Sequence, residues 1–337
     1  MIAPKISMLM SQGNKPGVVL FDKANTIDAE ITITKEQLSL AKGKKSVYVK
    51  DVGTYILQQP ATQQRLSGKI AVITGSAQGF GKELAIDMAN NGAHVVISDL
   101  NYPMAQQTAD IINNQNGENC AFAIETDVSD EQSVANMIEK TVLQFGGIDI
   151  LVCNAGVLRA GSLDEMSVES FDFVTNINYK AYFLCVKHAS KVMKLQHEVQ
   201  NDYYMDIIQI NSKSGLVGSN KNFAYAGGKF GGIGLTQSFA LELIPYNIKV
   251  NSICPGNFFD GPLWSNPENG LFVQYLNTGK VPGAKTVEDV KAFYEGKVPM
   301  KRGCNPSDVA CAMYYVIEQQ YETGQAIPVT GGQVMLS

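Results

Sequence analysis

The sequence has no stretch approaching the roughly 18 apolar residues that a membrane-spanning helix needs. Its first thirteen residues hold one early Lys and a short, weakly apolar run, too short and too polar for a secretory signal. Cysteines are few and scattered: Cys120, Cys153, Cys185, Cys254, Cys304 and Cys311, with no C-x-x-C pair. The three histidines form no H-E-x-x-H. Neither a metal site nor a disulfide framework is expected. Most of the thiols sit inside apolar runs and read as small core residues in a reducing, cytoplasmic setting. Basic runs are missing too. The net charge is −5, and the longest basic cluster, Lys42, Lys44 and Lys45, reads as a solvated turn. That excludes a nucleic-acid partner, and with no apolar span a membrane partner is not expected either.

What is present is strand–helix alternation. With 45% hydrophobic residues, the chain can fill one large core and carry an appendage. From about Lys69 short apolar runs recur at Ile70–Thr74, His94–Ser98, Cys120–Glu125, Ile148–Cys153, Asp206–Ile210 and Lys249–Ile253, with a weaker one at Ala326–Val329. Between them lie segments of helical period, such as Lys82–Asn91 and Asp130–Phe145. This predicts an α/β fold, a Rossmann-type doubly wound parallel sheet with helices on both faces, over residues 67–337. Residues 1–66 differ. Ile31–Thr34 and Val47–Val49 alternate as strands do, and Gln58–Gln64, interrupted by Pro60, reads as a polar linker. They form a separate, small, strand-containing N-terminal appendage without a catalytic motif.

Thr74–Gly81 follows a predicted strand and opens a predicted helix. Gly75, Gly79 and Gly81 allow a tight turn and close approach to a pyrophosphate, and the helix N-terminus offers free N–H groups. The spacing is G-x-x-x-G-x-G, not the commoner G-x-G-x-x-G. Ser76, Gln78 and Phe80 lie in the same loop. Asp99 closes the next apolar run, where a carboxylate accepts from ribose hydroxyls and repels a 2′-phosphate. No Arg or Lys stands in the loop or at 98–101, so NAD is expected rather than NADP.

Tyr225 and Lys229, four apart, share a helix face. A phenol of pKa about 10 is a poor base at neutral pH, and a nearby ammonium favours the phenolate. Lowering it by roughly 3 units needs about 4 kcal/mol. Alone, the Y-x-x-x-K pattern says little.

Together with Asn154-Ala155-Gly156, Asn178, Ser212 and Pro255-Gly256, in this order and spacing, the pattern resembles the short-chain dehydrogenase/reductase family over about residues 67–337. The resemblance implies that Tyr225 transfers the proton. Lys229 lowers the Tyr pKa and holds the nicotinamide ribose, Ser212 bonds the substrate oxygen, and Asn178 supports a water-linked proton path. It also implies that Asp127-Val128 contacts adenine, and that the enzyme is a homotetramer or homodimer. Two positions depart from the pattern. Cys153 stands where a second Asn is frequent. Asp260 stands where many members have a Thr touching the nicotinamide amide, so that contact is not assigned.

Longer runs, Ile207–Gly215, Lys229–Ser238, Lys297–Cys304 and Thr330–Met335, are similar to family members acting on polyol phosphates. That implies a sugar-phosphate or polyol-phosphate substrate, sorbitol 6-phosphate and fructose 6-phosphate being the expected pair. Lys213, Lys221, Lys301 and Arg302 are the expected partners of its phosphate, and residues 257–303, with Trp264, the expected lid. Similar modules occur fused to sugar-phosphate aldolases. The alternatives are a dehydrogenase of another polyol, sugar or secondary alcohol, and a non-catalytic NAD(H)-binding regulatory protein.

Overall fold

A computed structural model describes residues 2–11, 17–24, 27–58, 63–268, 270–277 and 279–335. The chain opens with helix α1 (Ala3–Ser11) and four short strands, β1 (Val18–Asp22), β2 (Ile31–Ile33), β3 (Ser46–Val49) and β4 (Gly53–Gln58). These strands form a small sheet in the order β1-β4-β3-β2, antiparallel except where β2 meets β3. Most of the expected linker, residues 59–62, lies outside the described residues, and Gln58 ends β4.

The main sheet follows. β5 (Ile70–Thr74), β6 (His94–Asp99), β7 (Ala121–Glu125), β8 (Ile150–Cys153), β9 (Met205–Ile210), β10 (Ile248–Pro255) and β11 (Ala326–Val329) run parallel in the order β11-β10-β9-β8-β5-β6-β7. β5, β8, β9 and β10 are buried along their whole length, as strands covered on both faces must be. One face carries α2 (Gly79–Asn90), α3 (Tyr102–Asn116) and α11 (Pro306–Glu318). The other carries α4 (Glu131–Phe145), α6 (Ala181–His197) and α7 (Phe223–Leu243). Helix α5 (Val168–Thr175) runs into α6 through a π-type turn at Asn176–Lys180. Local chemistry sets the ends: Asn101 and Asp130 cap α3 and α4 by accepting from Met104 and Ser133 N–H, and Gly146 ends α4 in the left-handed region. β8 begins two residues later than the sequence suggests, because the buried Asp149 side chain turns to accept from Ile70 N–H at 2.8 Å.

One buried charge is answered several times over. Lys249, fully buried in β10, lies 3.0 Å from Asp206 and donates to the carbonyls of Val316, Ile317 and Gln319 at the end of α11. It thereby ties the sheet to the last helix's orphan carbonyls.

The N-terminal unit is packed into the rest rather than merely joined to it. Ile6, Met10, Val18, Val19 and Tyr55 share one apolar cluster with Val142 and Phe145 of α4 and Val192 and Met193 of α6. A Cβ on Gly146 would press within 3.2 Å of Ser7 and Val19, so the close approach needs glycine. α1 escapes a reading by pattern, because it is too short to display a helical stripe.

Residues 257–303 hold α8 (Pro262–Ser265), α9 (Leu271–Asn277) and α10 (Val287–Gly296). They have an apolar centre of their own: Phe259, Trp264, Leu271, Phe272, Val281, Val290 and Val298.

Candidate active site

The carboxyl ends of β5, β6, β8, β9 and β10 converge on one cleft. At β5 the chain turns through Gly75 (φ +63°) and Gly79 (φ +61°) into α2, a conformation that favours glycine. A Cβ on Gly75 would lie 2.7 Å from Ala155 Cα, and one on Gly81 would run into the Gly75 carbonyl. The glycines therefore maintain a bare backbone cradle at a helix N-terminus, as a pyrophosphate requires. Gln78 is the N-cap residue of α2, and its side chain makes no cap bond. Phe80 stacks on Phe258 at 4.5 Å.

Ser76 plays a different part from the one expected. Its buried hydroxyl donates to Ile73 O at 2.7 Å and accepts from Ser98 N–H at 3.1 Å. The side chain knits β5 to β6 and leaves only main chain for a cofactor. Asp99 accepts from Ala77 N–H and Asn101 N–H, both at 3.0 Å, which fixes a carboxylate beside the glycine loop. Asp127 is held by Ser129, whose hydroxyl donates to it at 2.6 Å.

Asn154 and Ala155 are fastened to Thr74. Both N–H groups donate to Thr74 Oγ1 at 3.1 Å, and Asn154 Nδ2 donates to Thr74 O and Gly75 O. Thr74 opens the glycine-rich segment in the sequence, where this anchoring role leaves no trace because the residue also ends an apolar run. Asn178, in the π-type turn, clasps Val157: Oδ1 accepts from its N–H at 3.0 Å and Nδ2 donates to its carbonyl at 2.7 Å. Such turns recur at functional sites. Pro255 ends β10, and Gly256 N–H reaches Val329 O at 2.8 Å.

Ser212, two residues past the end of β9, accepts from Ser214 N–H at 3.1 Å, and its hydroxyl is near enough to the Tyr225 phenol to act on it. Lys229 Nζ lies 5.6 Å from the centroid of the Tyr225 ring and donates to Ile210 O at 2.9 Å. The structure thus brings the four expected catalytic residues together. Asn211 orders two of them and was missed by the sequence reading. It accepts from Ser212 N–H at 2.7 Å and donates to the Lys229 carbonyl at 2.9 Å. A cavity of about 10 Å³, lined by Asn178, Lys229, Val128, Cys153 and Tyr182 among others, lies behind them and has room for about one water.

Burial raises the Tyr225 phenol above its ordinary value, with Ser212 pulling the other way. The expected lowering by Lys229 is not produced by the chain itself. Burial also brings Lys229 down to about 8. The phenol therefore keeps its proton, the state needed to protonate a ketone oxygen.

The four cations expected to hold a phosphate are not equivalent. Arg302 forks onto Asp308, at 2.5 and 2.9 Å, and Lys301 donates to Gly296 O at 2.7 Å. Their heads are committed to the N-terminal turn of α11 and the end of α10. Lys221 lies in the field of the Glu165 carboxylate. Lys213, half-buried beside Ser212, has no salt-bridge partner among the described residues. Asp260 is paired with Lys291 of α10 at 2.7 Å.

Residues 69–265 match the family model described as short chain dehydrogenase. The chain is 37% identical over 269 residues to sorbitol-6-phosphate 2-dehydrogenase of Escherichia coli, covering 79% of this chain and 99% of that protein. The crystal structure of sorbitol-6-phosphate 2-dehydrogenase from Erwinia amylovora superposes with a TM-score of 0.72 at 39% identity, over 79% of this chain and all of that one. A short-chain type dehydrogenase/reductase from Mycobacterium marinum gives 0.66 at 29% identity, over 80% of this chain and 96% of that one.

Proposed function

The chain belongs to the short-chain dehydrogenase family, oxidoreductases acting on CH–OH groups, and on that premise we propose that it interconverts a polyol phosphate and a 2-keto sugar phosphate with NAD. Sorbitol 6-phosphate and fructose 6-phosphate are the proposed pair. The observation that carries the chemistry is Lys229 Nζ 5.6 Å from the Tyr225 ring centroid, with Asn211 tying the Ser212 main chain to that of Lys229. The substrate follows from the likeness to sorbitol-6-phosphate 2-dehydrogenases.

The residues that would hold the cofactor are the bare Gly75–Gly81 turn, Asp99, Asp127-Val128, Asn154–Gly156 and Pro255-Gly256. The cradle that a Cβ would fill fits a pyrophosphate. The fixed Asp99 carboxylate favours NAD over NADP. When bound, the nicotinamide supplies or takes the hydride. Ser212 orients the substrate oxygen by hydrogen bonding. Tyr225 gives that oxygen its proton during reduction and takes it back during oxidation. Lys229 and Asn178 border a water-sized cavity, and a water there would return the proton toward Tyr225 by way of Lys229.

We also place the enzyme in the cytoplasm, on the strength of its unpaired cysteines. Among the described residues no helix is long and apolar enough to cross a membrane. Phe171, Phe173, Tyr179 and Phe183 on α5–α6 and Phe230 on α7 are exposed, and they favour assembly into a homodimer or homotetramer.

The test is NADH oxidation followed by absorbance. Fructose 6-phosphate should exceed fructose at least about tenfold in kcat/KM, the scale of one charge-assisted bond. Equal rates would remove the phosphate from the proposal. They would favour the second reading, a dehydrogenase of another polyol or secondary alcohol, which the engagement of Lys301 and Arg302 already makes the nearest competitor. NADPH should be the poorer cofactor, and Asp99→Ser should narrow the gap. A wild type that prefers NADPH refutes the role given to Asp99.

A further inference from the structure

Strand β9 changes character toward its end. Met205 and Ile207 face the α4, α6 and α7 side as plain apolar residues, but the next two side chains in that alternation are Gln209 and Asn211. Both amides are buried, at 2% and 5% exposure, where an unpaired polar group is costly.

Their bonds form a closed set. Gln209 Oε1 accepts from Asn211 Nδ2 at 2.8 Å and from Ser252 Oγ at 3.1 Å, Ser252 being its register partner in β10. Asn211 Nδ2 also donates to the Lys229 carbonyl at 2.9 Å, and Asn211 Oδ1 accepts from Ser212 N–H at 2.7 Å. The neighbours therefore dictate which way the Asn211 amide points, with two acceptors on its nitrogen side and one donor on its oxygen side. Turned over, it would set oxygen against oxygen twice. The fold makes room for this set. A Cβ on Gly232, in the middle of α7, would run into Gln209 Nε2, and one on Gly215 would run into Asn211 Oδ1. Glycine is a poor residue for a helix interior, and at 232 it admits a buried glutamine.

We propose that Gln209 is a positioning residue for the catalytic serine. It acts through Asn211: the Gln209 carboxamide oxygen fixes the Asn211 amide, and that amide holds the Ser212 main chain to the Lys229 turn of α7. Ser212 and the helix that carries Tyr225 and Lys229 are thereby kept in one frame before a substrate arrives. The inference rests on the dehydrogenase chemistry of the site and is independent of the sugar-phosphate reading.

Gln209→Met keeps the length of the side chain and removes the oxygen. It is compared with wild type, Asn211→Ala and the double variant. NADH oxidation is measured with fructose 6-phosphate and with fructose, NADH affinity by fluorescence titration, and hydrogen exchange by mass spectrometry over peptides spanning 209–216. In Gln209→Met, kcat should fall about tenfold or more, as for a displaced reacting group, with NADH affinity unchanged. Exchange at Ser212 should quicken while the β9 amides keep their protection. The double variant should be no slower than Asn211→Ala, since the two residues act along one line. Both sugars should lose by the same factor, so the ratio that tests the phosphate stays as in wild type. Wild-type kcat in Gln209→Met overturns the proposal, and so do single losses that multiply in the double variant or a loss confined to NADH affinity or thermal stability. Should the wild type reduce neither sugar, the substrate reading fails and the exchange arm decides the role of Gln209. Should Gln209→Met fail to fold, wild-type exchange decides it: a Ser212 N–H as slow as those of β9 upholds the proposal, and one as fast as exposed loop amides overturns it.

Discussion

Lys229 offers a sharp prediction, because two neighbouring groups are driven apart by the same burial. Its ammonium falls from 10.5 to about 8, while the Tyr225 phenol is pushed above its usual value. The displacement of Lys229 is worth about 3 kcal/mol against the charged form. Its partners temper but do not reverse this: Ile210 O accepts a hydrogen bond, and the Cys254 and Cys153 thiols favour the charge. Between pH 7 and 10 the proton that leaves the site is therefore the lysine's, not the tyrosine's. Ketone reduction, measured as kcat/KM at saturating NADH, should be level below pH 8 and fall about tenfold per unit above it. Lys229→Arg keeps the charge to beyond pH 12 and should abolish the break, at a lower plateau. Unfolding cannot imitate the effect. A lysine depressed in the folded state opposes folding below about pH 8, and that opposition fades as pH rises to 10.5, so this group's contribution to stability improves while activity declines. A profile flat to pH 10, or an unchanged break in Lys229→Arg, would refute the reasoning.

Three further outcomes are expected. Tyr225→Phe retains the ring and should bind NADH while turnover drops about 10² or more; near-normal turnover removes Tyr225 from the mechanism. Ile6→Ala, in the fully buried face of α1, should lower unfolding free energy by about 2–4 kcal/mol in urea titrations, and a loss under about 0.5 kcal/mol would mean that α1 does not dock on α4 and α6 in solution. His94, edge-on to Phe145 at 5.4 Å, is brought by burial to about 4, so it resists protonation in the fold. Its contribution to stability is complete above pH 6.5 and should decline by roughly 2–3 kcal/mol down to pH 4.5; in His94→Gln that decline should be smaller, and an equal decline in both proteins contradicts the assignment.

The sheet was readable because strands buried on both faces are mostly apolar: β5 and β8 are nearly continuous apolar runs, and β6 and β9 keep an apolar centre. Even β11, only half-buried, was visible from its place after the last helix. The cleft was readable because its Asn, Ser, Tyr and Lys stand at fixed distances along the chain. Two things were not. Asn211 orders Ser212 and Lys229 through hydrogen bonds that leave no periodic trace. Ser76 sits inside a cofactor motif yet faces the core, a choice of rotamer rather than of residue.

The docking of α1 has a practical side. Gln196 joins the two halves: its Nε2 donates to Met8 Sδ, and its Oε1 accepts from Ile148 N–H. Ile148 stands just ahead of β8, whereas Asn154 follows that strand at its far end. The helix is therefore moored to the rear of the sheet, about 15 Å of strand away from the reacting groups. A purification tag, a fluorophore or an immobilising support attached ahead of α1 would hang from the enzyme's back and leave the mouth of the cleft open to substrate.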